Sequence, residues 1–194
     1  MTRVKTIYRT TSGEEFDNFN TAILKQNKIN RIEKHVSLCV DDFVERGNVP
    51  SFNWEVEDNY FYTSKCLFEG DSSLEEQYIK IRFYYRHNDY NNLEFVVKLE
   101  KDREDEFGNY YCAERYFDSI EDIIKECNND FDEYDANKID KSILSKFNLL
   151  KEEFDNFLGE ISNFASQDLY QSEKDKKFIS STAFEFLKNK LKTF

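Results

Sequence analysis

The chain has 194 residues, a formal net charge of −12, 34 % charged residues and 16 % aromatic residues. That length fits one domain of roughly 100–200 residues, and 19 Phe with 12 Tyr supply the apolar surface that disordered chains lack. The acidic balance weighs against a nucleic-acid ligand, whose phosphates are held by Lys and Arg, and against anionic membrane surfaces, while it favours encounter with a basic protein.

Residues 1–20 hold no apolar stretch of signal-peptide length, and no later run approaches the ~20 apolar residues that cross a bilayer, so a cytoplasmic location is expected. Cys39, Cys66, Cys112 and Cys127 show no CxxC spacing and are too few for a disulfide scaffold, so they read as buried thiols.

In chain order, residues 3–9 read as a strand and Thr11-Ser12-Gly13 as a turn. Asp17 or Asn18 can cap a helix on which Phe19, Ala22, Ile23, Ile29, Ile32, Val36, Cys39, Val40 and Phe43 form an apolar stripe, and Gly47, Asn48 and Pro50 end it. The centre is strand-like. Phe52, Trp54 and Val56 alternate with polar residues, Tyr60 to Tyr62 follow, and Ile79, Ile81, Phe83 and Tyr85 are answered by Leu93, Phe95, Val97 and Leu99, with a last strand over residues 110–116. Short polar turns between these runs imply an antiparallel meander with one buried face. Asp118 and Glu121 form a capping box for a short helix to about Asn128.

The acidic segment 127–140 reads as a connection. After it Ile143, Phe147, Leu150, Phe154, Phe157, Ile161 and Phe164 step by four and three residues, the seam of a long amphipathic helix. A last helix over residues 176–191 carries Ile179, Ala183, Phe186 and Leu187. The fold class expected is α+β: an antiparallel sheet of about four to six strands, an N-terminal helix and a C-terminal helical pair. The organisation expected is a sheet domain over 1–128, an acidic connection over 129–140, and a helical hairpin over 141–194 packed on that domain or on itself.

No catalytic, cofactor-binding or metal-ligating set is legible. His35 and Cys39 share a helix face at zinc-ligand spacing, but no second pair completes a site. Asp130, Asp132, Asp135, Asn137 and Asp140 resemble a calcium loop in composition only, since no register supplies both the sixth-position Gly and the twelfth-position Glu. His35 and His87 are the only histidines available to activate a nucleophile and lie in no motif, and no Gly-rich phosphate loop occurs. Lys80, Arg82, Tyr84 and Arg86 line one strand face and are expected to pair across strands with Glu94 and Glu100. Residues 118–140 hold nine carboxylates against Lys125 and Lys138, a surplus of seven negative charges. Such a run is ordinarily a solvated face. Its interspersed Phe131 and Tyr134, flanked by Asp130, Asp132 and Asp135, also suit a surface that engages a basic groove, and these five are the expected partner-binding residues.

The opening Ile7-Tyr8-Arg9-Thr10-Thr11-Ser12-Gly13-Glu14-Glu15-Phe16-Asp17 resembles the start of small proteins made by phages of AT-rich hosts, and the chain's length, acidity, richness in Phe and Tyr and strand-then-helix order are similar to those of the staphylococcal phage proteins that bind the host's primary sigma factor and inhibit RNA polymerase. The resemblance implies a non-enzymatic host-takeover protein that works by binding in the host cytoplasm. The expected partner is a basic host protein that handles nucleic acid, such as that sigma factor, with no direct contact to nucleic acid or membrane and no cofactor. The alternatives are an acidic DNA mimic that blocks a DNA-binding or defence protein, and an enzyme without a recognised motif.

Overall fold

The computed structural model describes residues 5–47, 49–58, 60–67, 78–85, 93–104, 106–117, 121–122, 124–125, 139–167 and 172–194. Helix α1 (Phe19–Arg46) begins where Asn18, in extended conformation, accepts a hydrogen bond from the Thr21 amide at 3.2 Å, so Asn18 rather than Asp17 is the cap. Asp17 instead pairs with Lys5 at 3.0 Å. The helix ends where the Gly47 amide reaches the Phe43 carbonyl at 3.0 Å. Between its ends Ile29, Ile32, Val36, Val40 and Phe43 recur at three- and four-residue intervals and are buried.

Two further helices follow, α2 (Lys141–Ala165) and α3 (Glu173–Leu191). The Asp140 carboxylate caps α2, accepting from the Ser142 and Ile143 amides at 2.8 and 3.3 Å. The hydrogen bonds at Ser142, with the Ile143 amide and Lys146 in support, hold its carboxyl below the usual range against an opposing desolvation. A residue read above as part of an acidic connection is therefore a helix cap. Asp140→Ala is expected to cost about 1 kcal/mol in denaturant titration, and an unchanged midpoint would show that α2 starts without it. Ser172 caps α3, which starts three residues before the position that apolar spacing suggests.

The N-terminal strand is shorter than expected: β1 (Tyr8–Arg9) pairs antiparallel with β2 (Glu15–Phe16), and residues 5–7 lie outside the ladder. The turn between them needs Gly13 at φ 84°, where its amide donates to the Thr10 carbonyl at 2.9 Å. Strands β3 (Glu55–Val56), β4 (Tyr60–Cys66), β5 (Tyr78–Tyr85), β6 (Leu93–Glu104) and β7 (Tyr110–Phe117) pair antiparallel in that order. Phe52 and Trp54, expected in the first of these strands, instead follow a 3₁₀ turn over Val49–Ser51, and the Trp54 indole donates to the Val49 carbonyl at 2.7 Å. The register sets Phe61 opposite Phe83 and Phe83 opposite Phe95, one apolar row across β4, β5 and β6, and sets Ile81 opposite Val97 in the neighbouring row. It also sets Lys80 opposite Lys98, Arg82 opposite Val96 and Glu100 opposite Glu114; among the described residues only Tyr84 stands opposite one of the expected carboxylates, Glu94, and Arg86 lies outside the described residues. The chain is thus α+β with an N-terminal helix and a C-terminal helical pair, as composition and periodicity imply.

Helix α2 supplies the centre of the core. Phe147, Leu150, Phe154 and Phe157 are fully buried, with Phe147 stacked 5.1 Å from Phe52, and Phe154 and Phe157 at 5.9 and 5.0 Å from Phe43. Helix α3 adds Ile179, Ala183 and Leu187 as expected, but Phe184 is buried and Phe186 only partly so. The reason is that α3 also meets the sheet, where Phe184 stacks 5.7 Å from Phe61 of β4. Lys188 of α3 is buried as well and donates to the Asp58 carbonyl at 2.8 Å. Residues 121–122 and 124–125 are helical, and the capping Asp118 expected before them lies outside the described residues. Among the described residues no helix is long and apolar enough to cross a membrane.

Candidate functional site

The first turns of α1 depart from the amphipathic rule. Phe19 and Ile23, which periodicity assigns to the buried stripe, are 55 % and 41 % exposed, and Leu24 beside them is 71 % exposed. Ile7 is also exposed, next to Tyr8, whose ring lies 5.3 Å from that of Phe19. Phe19 and Ile23 are one turn apart on the helix and Leu24 points to a neighbouring side, and the elements that meet this end of α1, the two-residue strands β1 and β2, leave all three exposed. Contiguous exposed apolar side chains of this size commonly mark contact surfaces. Charged pairs border them: Lys5 with Asp17 and Arg9 with Glu15.

A second feature lies where the hairpin turn, α1 and the start of α3 converge. A cavity of about 190 Å³ opens there over Ile29, Ile32 and Phe178. Charged groups form its rim. Asp175 is only 8 % exposed; it accepts from Lys28 Nζ at 2.5 Å and from Ser172 Oγ at 2.6 Å, and its amide donates back to Ser172 Oγ at 3.2 Å. Lys25 Nζ lies 3.1 Å from Glu14 Oε2 and 3.9 Å from Asp175 Oδ1. The turn is held in place by Gln26, whose Oε1 accepts from the Thr11 amide at 2.8 Å. Burial pushes the Asp175 carboxyl up, but the hydrogen bonds from Lys28 and Ser172 and the charges of Lys28 and Lys25 outweigh it and hold the group below the usual range. Lys174 completes the rim, and among the described residues no carboxylate lies within ion-pair distance of it.

The residues singled out from the sequence fall as follows. His35 stacks on Phe164 with ring centroids 3.8 Å apart and planes 18° from parallel, at an open groove shared with Arg31, Lys34 and Leu38. Cys39 is buried on the apolar stripe, where desolvation and then Glu160 push its thiol up, against a weaker pull from Arg46. Cys66 is only partly buried, at the end of β4, which corrects the reading of that thiol. Among the described residues no three His, Cys, Asp or Glu side chains are grouped to hold a metal ion. Phe131, Tyr134, Asp130, Asp132 and Asp135, like His87, lie outside the described residues. At the sheet edge Tyr62 donates to Glu55 Oε2 at 2.6 Å, and this bond above all pushes its phenol up to about 12.

Sequence reasoning missed the junction cavity. One signal was present: Lys25, Lys28, Arg31 and Lys34 step by three along α1, a basic row in an acidic chain. Comparison with protein-family models, curated proteins and solved structures finds no match to this chain.

Proposed function

We propose that this chain catalyses no reaction and acts by binding a nucleic-acid-handling protein of a bacterial host. The primary sigma factor of RNA polymerase is the partner we assign on the resemblance of the sequence, with inhibition of transcription as the outcome in the host cytoplasm. The observation that carries the reading is the exposure of Phe19, Ile23 and Leu24 on one end of α1, beside Ile7. Apolar side chains of this kind serve as anchors when a partner desolvates them, while a net charge of −12 speeds encounter with a basic, DNA-facing surface. The acidic stretch with Phe131 and Tyr134 is the second contact proposed.

The test is single-round transcription by host RNA polymerase with the purified protein added, together with capture of the purified sigma factor on the tagged chain. Inhibition and capture are expected, and both should persist at moderate salt because apolar anchors are not screened. Replacing Phe19 and Ile23 together by Ala should weaken capture roughly thirtyfold, the scale of ~2 kcal/mol at a contact anchor. Phe131→Ala with Tyr134→Ala reports on the second contact independently. Binding that disappears with modest salt and competes with duplex DNA would instead establish a DNA mimic. Unchanged transcription at saturating protein would overturn the assignment of the partner.

A further inference from the structure

The junction cavity has an unbalanced rim. Among the described residues that line it are three lysines, Lys25, Lys28 and Lys174, and two carboxylates, Glu14 and Asp175. Lys28 is matched by Asp175 at 2.5 Å and Lys25 by Glu14 at 3.1 Å, so among the described residues the charge left over is that of Lys174. A positive surplus is unexpected in a chain of net charge −12, where chance would place carboxylates. Beneath the rim the surface is apolar, with Ile29 and Ile32 fully buried in α1 and Phe178 contributed by α3. The cavity, at about 190 Å³, exceeds the roughly 150 Å³ that suffices for a benzene-sized guest.

We propose that this cavity is a binding site for a small monocarboxylate, with the hydrocarbon part on Ile29, Ile32 and Phe178 and the carboxylate at Lys174. The charge pattern selects the class. A ligand ammonium would face three lysines. A second carboxylate on the ligand would meet Glu14 and Asp175. A single negative charge on a short apolar body neutralises the rim and removes hydrocarbon from water at the same time. The inference is independent of the protein-binding reading, because the cavity lies on the side of α1 that meets α3 and uses none of Phe19, Ile23 and Leu24.

The probes are hexanoate, hexanol and hexylamine, which share a tail and differ in charge. Binding is read by calorimetry and by methyl shifts in protein labelled at isoleucine. Hexanoate is expected to bind in the millimolar range and to shift Ile29 and Ile32, with hexanol about three- to fivefold weaker, the scale of one partly exposed ion pair, and hexylamine weakest. Lys174→Gln should remove the advantage of hexanoate over hexanol. Lys174→Glu should reverse the order of hexanoate and hexylamine, and it should fold normally because an acidic residue suits the first turn of a helix. Equal affinity for all three probes, shifts confined to methyl groups away from the cavity, an order unchanged in Lys174→Glu, or no binding at tens of millimolar would each overturn the proposal.

Discussion

Phe154→Ala is expected to lower the free energy of unfolding by about 3–5 kcal/mol, the range for removing an aromatic ring from a packed core. Phe154 has no exposed surface and is the middle residue of the α2 seam. Its ring lies 5.9 Å from Phe43 of α1 and 6.2 Å from Phe157, with Phe147 and Leu150 fully buried on the same face. Little of that surrounding can collapse into the space left, because the neighbours belong to rigid helices already in contact. The measurement is a guanidinium titration of the variant against Glu152→Ala, an exposed position on the same helix that should change stability by no more than about 0.5 kcal/mol. A loss below about 1 kcal/mol for Phe154→Ala would mean that the seam is not a core. It would also reopen the other use of a seven-residue repeat, a coiled coil between chains.

The seam shows how far the sequence could be read. Ile143 to Phe164 step by three and four residues, and an amphipathic helix with that stripe buried is the one arrangement that satisfies the spacing, so α2 and its inward face were legible. Asn18 and Gly47 likewise bound α1 by chemistry local to the chain. What periodicity reports is which side chains share a face; whether another element covers that face is decided elsewhere. Phe19 and Ile23 were assigned to the stripe of Ala22 and Ile29, yet at roughly 100° per residue they are turned about 80° and 120° away from Ile29 and are exposed. Phe184 was missed for the opposite reason, because β4 covers a side of α3 that spacing alone leaves polar. Asp140 was read with its acidic neighbours, although its place directly before the helix, two and three residues ahead of the Ser142 and Ile143 amides, makes it a cap. The junction cavity is the least legible feature. Asp175 meets Lys28 across a separation of 147 residues, and no local pattern in either segment signals the other.

Asp175 carries the second large effect. Replacing it by Ala should destabilise the protein by about 2–3 kcal/mol, the scale of hydrogen bonds to a charged group that is mostly buried. The carboxylate joins three things at once: Lys28 of α1, the hydroxyl of the capping Ser172, and, more distantly, Lys25. Without it Lys28 retains partial access to water, which keeps the loss below that of a sealed buried pair. The charge is tested with Asp175→Asn, which preserves shape. The Asp175 carboxyl titrates lower in the folded protein than the ordinary carboxylate value of about 3.9 that applies to the unfolded chain. Its contribution to stability is therefore fully present above that value and is lost as pH falls through the lower, folded-state value. The stability gap between the natural chain and Asp175→Asn should be largest near pH 7 and should shrink as pH falls below about 4, whatever the other carboxylates do, because their effects cancel in the difference. A gap that stays constant over that range would assign the effect to hydrogen bonding alone. Combining Asp175→Asn with Lys28→Gln in a double-mutant cycle isolates the ion pair itself: a coupling of about 1 kcal/mol or more is expected, and additive losses would show that Asp175 stabilises α3 through Ser172 rather than by holding it to α1.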